Sequence, residues 1–362
     1  MKNQVVLWCT LSLIWAGCTD DAGLDSGGAS GDCEARVLPG DYIVRSEQDA
    51  DALEKEGGCA YSIAGNLEIT RTQQAIFSGL NQLSAVGGDL RIYHNDDLKT
   101  FEGLVDLSMV GGNVQIYENE QLSLLEGLNF LQTVRGNLSI FHNEKLTDIE
   151  GLFKVNRIGG DLHINNNNQL TNLDGLFGLV TVEGSLIIEF NPAIELVEDL
   201  SNLSSVGGDL VVENNRRLKK IEDVSGLQMV GGSLSIAHNE VLDMVEDLSR
   251  LSDVGQDLSL YSNDRLTSIV GLANLQRVGG NLNIYDNEKL AGFDGLGGLS
   301  DVGQDLNIYD NEKLISLAGL AQLANVGGSV FIVENASLPT SEAQALADRA
   351  ATGQVSISEN KN

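Results

Sequence analysis

Five of the seven tyrosines recur at multiples of one 24-residue spacing. Tyr93, Tyr117 and Phe141 form one group, and Tyr261, Tyr285 and Tyr309 form a second. Between the groups the same position holds Asn165, Glu189, Glu213 and Ala237, and Val333 ends the series. Asn283, Asn307, Asp286 and Asp310 lie beside the second group. Exposed aromatic rings next to amides and carboxylates suit a sugar ring or a peptide. The same rings, stacked between neighbouring strands, would also stabilise a sheet with no ligand at all.

A second column at this spacing is acidic: Glu102, Glu126, Glu150, Asp174, Glu198, Glu222, Glu246 and Asp294. Like charges ~5 Å apart repel by only about 1 kcal/mol in water, so a fanned-out acidic edge with lysines nearby is tolerable. Calcium bridging is the sharper alternative, because hard cations collect carboxylate oxygens. The Gly-Gly-x-Gly-x-Asp pattern of calcium-binding solenoids is absent, however, and the expectation is no metal and no cofactor. Catalytic motifs are also missing: there is no Gly-x-Ser-x-Gly, His-Glu-x-x-His or phosphate loop. His94 and His142 sit two repeats apart, too far to share a metal. Arg216-Arg217 with Lys219-Lys220 is the best cluster of non-repeating charge, the kind of feature a polysaccharide-active enzyme would need; a solvated loop is the preferred reading of it.

The element that must position these columns is the repeat itself. Asparagine recurs every 24 residues without insertion or deletion: Asn95, Asn119, Asn143, Asn167, Asn191, Asn215, Asn239, Asn263, Asn287, Asn311 and Asn335. Gly279-Gly280-Asn281-Leu282-Asn283-Ile284, followed by Asn287, Leu290, Phe293, Gly295, Leu296, Leu299 and Val302, is a clear copy. Leu282 and Ile284, two apart, share one face of a strand. Equivalent pairs stacked in register predict a parallel sheet with one strand per turn. The later apolar spacing of three suits irregular or 3₁₀-like chain around the same core. No single turn can bury that face alone, but stacked turns can. Each Asn stands where the chain leaves its strand, and an amide offers both donors and acceptors for a ladder between turns. One of the two glycines persists in every turn from Gly87 onward, which implies a corner with positive φ or with no room for a Cβ.

The ends depart from the repeat. Tyr42–Val44 reads as a first strand and 46–56 as a helix, with another helix over 341–351. Gly353, Val355, Ile357 and Asn360 then restate the strand signature. Helices at both ends would cover sheet edges that otherwise invite aggregation. Strands near 42 and 67, eleven from 90 to 330 and one at 355 make about fourteen. At ~4.8 Å per strand the stack is about 60 Å long.

Residues 1–17 carry Lys2, a short apolar run from Val5 to Ile14, and small residues before Cys18, which together read as an export signal. The Ala16-Gly17-Cys18 ending resembles a bacterial lipoprotein signal, although Trp15 stands where that family usually has Leu. The resemblance implies lipidation of Cys18, a flexible tether over 18–32, and export to the cell envelope, at the outer membrane or cell surface. Cys33 and Cys59, an isolated pair in an exported chain, read as a disulfide worth roughly 3 kcal/mol in the chain-entropy model. The formal charge of -30 argues against nucleic acid and anionic lipid as partners, so membrane contact is expected only through the anchor.

The Cys33…Cys59 pair, Gly65-Asn66-Leu67-Glu68-Ile69, the Gly-Gly-x-Leu-x-Ile-x-x-Asn-x-x-Leu turns and the helix-then-strand ending resemble the receptor L-domain over roughly 33–360. That family is a right-handed β-helix related to leucine-rich repeats, and its receptor members bind polypeptide ligands. Here the array is about twice as long, with no cysteine-rich spacer or kinase, so only a general binding role carries over. The expected architecture is an all-β, right-handed parallel β-helix: a disulfide cap over 33–64, a solenoid of leucine-rich-repeat-like turns over 65–338, and a helical cap over 339–362. The expected function is non-enzymatic display of the sheet to an extracellular glycan or protein. A passive envelope spacer is the main alternative and a polysaccharide-active enzyme the minor one.

Overall fold

The structure, a computed structural model, describes residues 35–361. The expected export signal, Cys18, the expected tether and Cys33 lie outside the described residues. The chain from 34 onward forms one body, an all-β solenoid of stacked parallel strands. Its main sheet has 14 strands. They are Tyr42–Val44, Leu67–Thr70, the repeat strands from Leu90–Tyr93 to Val330–Val333, and Val355–Ser358. Neighbouring strands pair in parallel, and in the repeats the register is one full turn: Leu282 lies against Leu306 and Ile284 against Ile308. Leu282 and Ile284 point into a core from which solvent is fully excluded, as do Leu290, Phe293, Leu296, Leu299 and Val302.

One strand per turn proves to be an undercount. A second parallel sheet of 13 strands, beginning at Arg36–Leu38, runs up another side of the coil. In the repeats its strands are only two residues long, such as Arg277–Val278, with the valine buried. Two residues are too few to show alternation, so the stretch looked irregular in the sequence. The rest of the apolar wrap is 3₁₀ helix in six turns, from Glu126–Leu128 to Ala318–Leu320.

In three central turns this corner changes form. Where 3₁₀ turns read Leu125-Glu126-Gly127-Leu128, the central ones read Val197-Glu198-Asp199-Leu200 and its equivalents. The glycine is needed in the 3₁₀ form because a Cβ on Gly295 would collide with the carbonyl oxygen of Ile269 below it. Asp199, Asp223 and Asp247 instead take positive φ, and the chain before them pairs into a 3-stranded sheet over Leu196–Val197, Lys220–Ile221 and Met244–Val245. Glycine does not decide this alone: Gly79 and Gly103 precede Leu80 and Leu104, which also take positive φ.

The Gly-Gly corner has one of its two expected causes. The repeat glycines do not have positive φ; of the glycines, only Gly40 and Gly58 do among the described residues. The reason is lack of room, since a Cβ on Gly231 would strike the carbonyl oxygen of Gly207 one turn below. Positive φ falls instead on the residue before each ladder asparagine: His94, Glu118, His142, Asn166, Phe190, Asn214, His238, Ser262, Asp286, Asp310, Glu334 and Glu359. None of these is β-branched, as the crowded left-handed region requires.

Both caps are helical. Glu47–Gly57 begins at Ser46, whose hydroxyl accepts from the Asp49 N–H, and buries Ala50 and Leu53. Thr340–Ala350 buries Ala343, Leu346 and Ala347 over the last turns. Arg349 donates to the carbonyls of Leu320 and Leu323 at 3.0 and 3.1 Å, and Glu342 accepts from the Leu317 N–H at 2.8 Å. These bonds tie the helix to the backbone of the last 3₁₀ corner.

Candidate functional site: the outward face of the long sheet

Alternation along each strand of the 14-stranded sheet decides what faces outward. In Leu282–Tyr285 the leucine and isoleucine are buried and Asn283 and Tyr285 are half-buried on the other face. Because the register is one full turn, the aromatic column becomes two continuous stacks. Tyr93, Tyr117 and Phe141 stack at 5.1 and 4.8 Å between ring centroids, with planes within 5°. Tyr261, Tyr285 and Tyr309 stack at 4.7 and 4.5 Å. The two stacks are separated by Asn165, Glu189, Glu213 and Ala237.

The geometry narrows what the rings can do. Each inner ring has both faces covered by its neighbours, so the stack offers ring edges and hydroxyls to a ligand. At the start of the second stack the His238 ring meets Tyr261 edge-on at 5.1 Å. Burial, with Tyr309 and Tyr261 alongside, pushes the Tyr285 phenol up to about 12, and burial also raises Tyr117, Tyr261 and Tyr309. These phenols are therefore neutral donors at physiological pH. In the first stack Tyr93 donates to Glu68 at 3.0 Å, and Arg91 bridges Glu68 and Asp89 at 3.2 and 2.7 Å.

The flanking residues are brought to the same strip. The Asn307 amide donates to Asn283 at 2.8 Å and Asn283 to Ser259 at 3.0 Å, an exposed-side amide ladder parallel to the tyrosines. Asp286 and Asp310 stand exposed at the strand exits, and Ser262 donates to Asp286 at 2.8 Å. The chemistry of the strip is phenol, amide and carboxylate in register along the stack.

The asparagine column is internal. All eleven side chains from Asn95 to Asn335 are fully buried. Asn215 is typical: its amide donates to the Ile188 carbonyl at 2.9 Å, and its Oδ1 accepts from the Asn191 N–H at 3.0 Å. Asn360 extends the ladder into the cap, accepting from the Asn335 N–H at 3.1 Å.

Sequence reasoning missed a second ladder. The residue after Gly-Gly, read as free, is Asp, Asn or Ser in every turn. Its side chain accepts the backbone N–H of the same position one turn later: Asp89 from Asn113 at 2.8 Å, Asn113 from Asn137 at 2.8 Å, Asp209 from Ser233 at 2.7 Å. The restriction to short acceptors was the available signal.

The acidic column lies away from this strip. Glu102, Glu126, Glu150 and Asp294 are exposed, whereas Asp174, Glu198, Glu222 and Glu246 are half-buried. Burial, then the nearby carboxylates of Asp199 and Glu150, raises the Asp174 carboxyl; burial, then Asp174 and Asp199, raises Glu198. Among the described residues no group of three or more His, Cys, Asp or Glu converges as a metal site. His94 pairs instead with Glu118 at 3.0 Å, and His163 with Glu189 at 3.0 Å. Cys59 is disulfide-bonded, while its expected partner Cys33 lies outside the described residues.

Fold and face together define an all-β parallel solenoid that displays a repeated side-chain strip. No protein-family model matches the chain, and no curated protein matches it.

Proposed function

We propose that this protein is a non-enzymatic binding module of the cell envelope, exported and lipid-anchored at Cys18. The outward face of its 14-stranded sheet meets an extracellular glycan or protein. The observation that carries this reading is the pair of aromatic stacks held in register on the outward face of the sheet. Three rings in a row along each stack suit an extended ligand lying along it. Such a strip is preorganised, so little side-chain entropy is lost on binding. The resemblance to receptor L-domains supports recognition of a polypeptide, and the phenol and amide edges serve a glycan equally.

The passive-spacer reading draws on one observation: the ring faces are spent on one another, which stabilises the sheet by about 0.5–1.5 kcal/mol per stacked pair. A Tyr261, Tyr285, Tyr309→Ser triple variant separates the two. The purified protein and the variant are compared on glycan and envelope-protein arrays, with circular dichroism as the check on fold. Binding that disappears only in the folded variant supports recognition. No binding by either protein leaves the tyrosines as sheet-stabilising residues and favours the spacer. Lipidation is tested by fatty-acid labelling, which Cys18→Ser should abolish.

A further inference from the structure

On an acidic molecule, one groove gathers positive charge. It has a volume of about 660 Å³ and lies where the chain leaves the long sheet, past the asparagine ladder. Arg216, Arg217, Lys219, Lys220, Arg265 and Lys289 line it, with Glu195 and Asp243 as its only carboxylates. The formal charge of the whole chain is -30, so this concentration runs against the average.

The repeat explains the shape. Arg217, Val241, Arg265 and Lys289 occupy one position in four successive turns. Parallel strands set those turns ~4.8 Å apart, so Arg217 and Arg265 stand about 10 Å apart along the stack. Val241, short and apolar, occupies the turn between them and lines the groove with Thr267. The Thr267 hydroxyl is turned aside, donating to Asp243 at 2.7 Å.

The charges are partly uncommitted. Lys219 is held by Glu195 at 2.6 Å, and Lys220 lies 3.7 and 3.9 Å from Glu222 and Glu246. Arg216, Arg265 and Lys289 are exposed and form no ion pair among the described residues. Arg217, whose charge helps to lower the Glu195 carboxyl, and Arg265 line the same groove two turns apart, and guanidinium binds a planar or tetrahedral oxyanion through paired N–H donors.

We infer that this groove binds an anionic polysaccharide, seating a carboxylate or sulfate group between Arg217 and Arg265 over Val241. The carboxylates choose among polyanions. Glu195 and Asp243 inside the groove, with Asp264 and Glu288 beside its arginine and lysine, can accept hydrogen bonds from sugar hydroxyls. A chain that alternates anionic groups with hydroxyls satisfies both sets. The groove spans five successive turns and is open along them, which fits a polymer. This site is separate from the tyrosine strip and does not depend on it.

The test is equilibrium binding of the purified protein to polygalacturonate, to dextran sulfate, to neutral dextran and to a single-stranded oligonucleotide. An Arg217→Ser, Arg265→Ser variant and a Val241→Glu variant are compared with a Lys145→Ser, Lys313→Ser control at the same repeat position outside the groove. The expected result is binding to one or both acidic polysaccharides that weakens with salt. It should fall at least tenfold in both groove variants and stay unchanged in the control, with neutral dextran unbound. The carboxylated and sulfated polymers identify which anion is seated. The proposal is overturned if neither acidic polysaccharide binds, if both groove variants bind as the parent does, or if the oligonucleotide binds as tightly. The substituted arginines are exposed, and an unchanged melting temperature confirms that the variants fold. Failure of the tyrosine variant to lose binding would leave this result standing, and the reverse holds too.

Discussion

Asn215 shows how much one side chain holds in a stacked fold. It is fully buried, satisfies the Ile188 carbonyl and the Asn191 N–H, and donates its own N–H to Asn239. Asn215→Leu leaves the Asn191 N–H buried without a partner and takes the amide donor from the Ile188 carbonyl, at about 1–3 kcal/mol in all. Urea denaturation should show that loss as a lower midpoint. The residue before each ladder asparagine makes a different prediction. Phe190 has φ of 53°, a conformation that a β-branched side chain resists. Phe190→Val should therefore cost about 1–3 kcal/mol, whereas Phe190→Gly should cost far less. Equal melting temperatures for these two variants would show that backbone strain is not what distinguishes them. The strand core was readable from its alternation, and the asparagine column from its unbroken recurrence. The left-handed residue was not, because its rule is negative: His, Glu, Asn, Phe, Ser and Asp have little in common except that none branches at Cβ.

At the scale of the element, the corner that carries the acidic column links packing to pH. Asp174 and Glu198 both titrate above their ordinary values of 3.8 and 4.5, first because of burial and then because of neighbouring carboxylates. A carboxyl with a raised folded value holds its proton more tightly in the fold than in the unfolded chain. Its contribution is therefore present at low pH and is lost as pH rises from the ordinary value through the raised one. Asp174→Asn with Glu198→Gln should raise the melting temperature at neutral pH and leave it nearly unchanged at pH below both ordinary values. A neutral-pH melting temperature equal to the parent's would show that the column is relaxed by solvent. The two forms of this corner were visible as Glu-Gly-Leu against Glu-Asp-Leu, but their consequence was not. Whether the chain turns as 3₁₀ helix or pairs as a short strand depends on the carbonyl of the turn below, a contact between residues a full repeat apart.

For the whole molecule, stacking is both the source of stability and the hazard. Each inner turn pairs with a neighbour on both sides, so only the two ends leave ladder groups to be covered. The helix Thr340–Ala350 and the strand Val355–Ser358 close one end, with Arg349 and Glu342 bonded to the final turn. Removing residues 339–362 should expose the edge at Val330–Val333 and leave the Asn335 N–H unpaired. Light scattering should then report association of the truncated chain at concentrations where the intact chain stays dispersed. Truncated protein that remains monomeric would mean the edge is protected by other means, such as the charge of -30.

The sequence by itself determined the period, the strand in each turn, the buried asparagine ladder, the helical ends and the outward position of the tyrosines. Each follows from side-chain type at a fixed spacing, and an unbroken 24-residue period makes spacing equivalent to stacking. Only the tertiary structure decided how those columns meet. It turned the tyrosines face to face, which leaves their edges for a ligand. It revealed the second polar ladder and second sheet, both made by contacts one turn away. It also gathered Arg217, Arg265 and Lys289 around Val241, because a groove is a difference in length between side chains on adjacent turns, and that difference exists only once the turns are stacked.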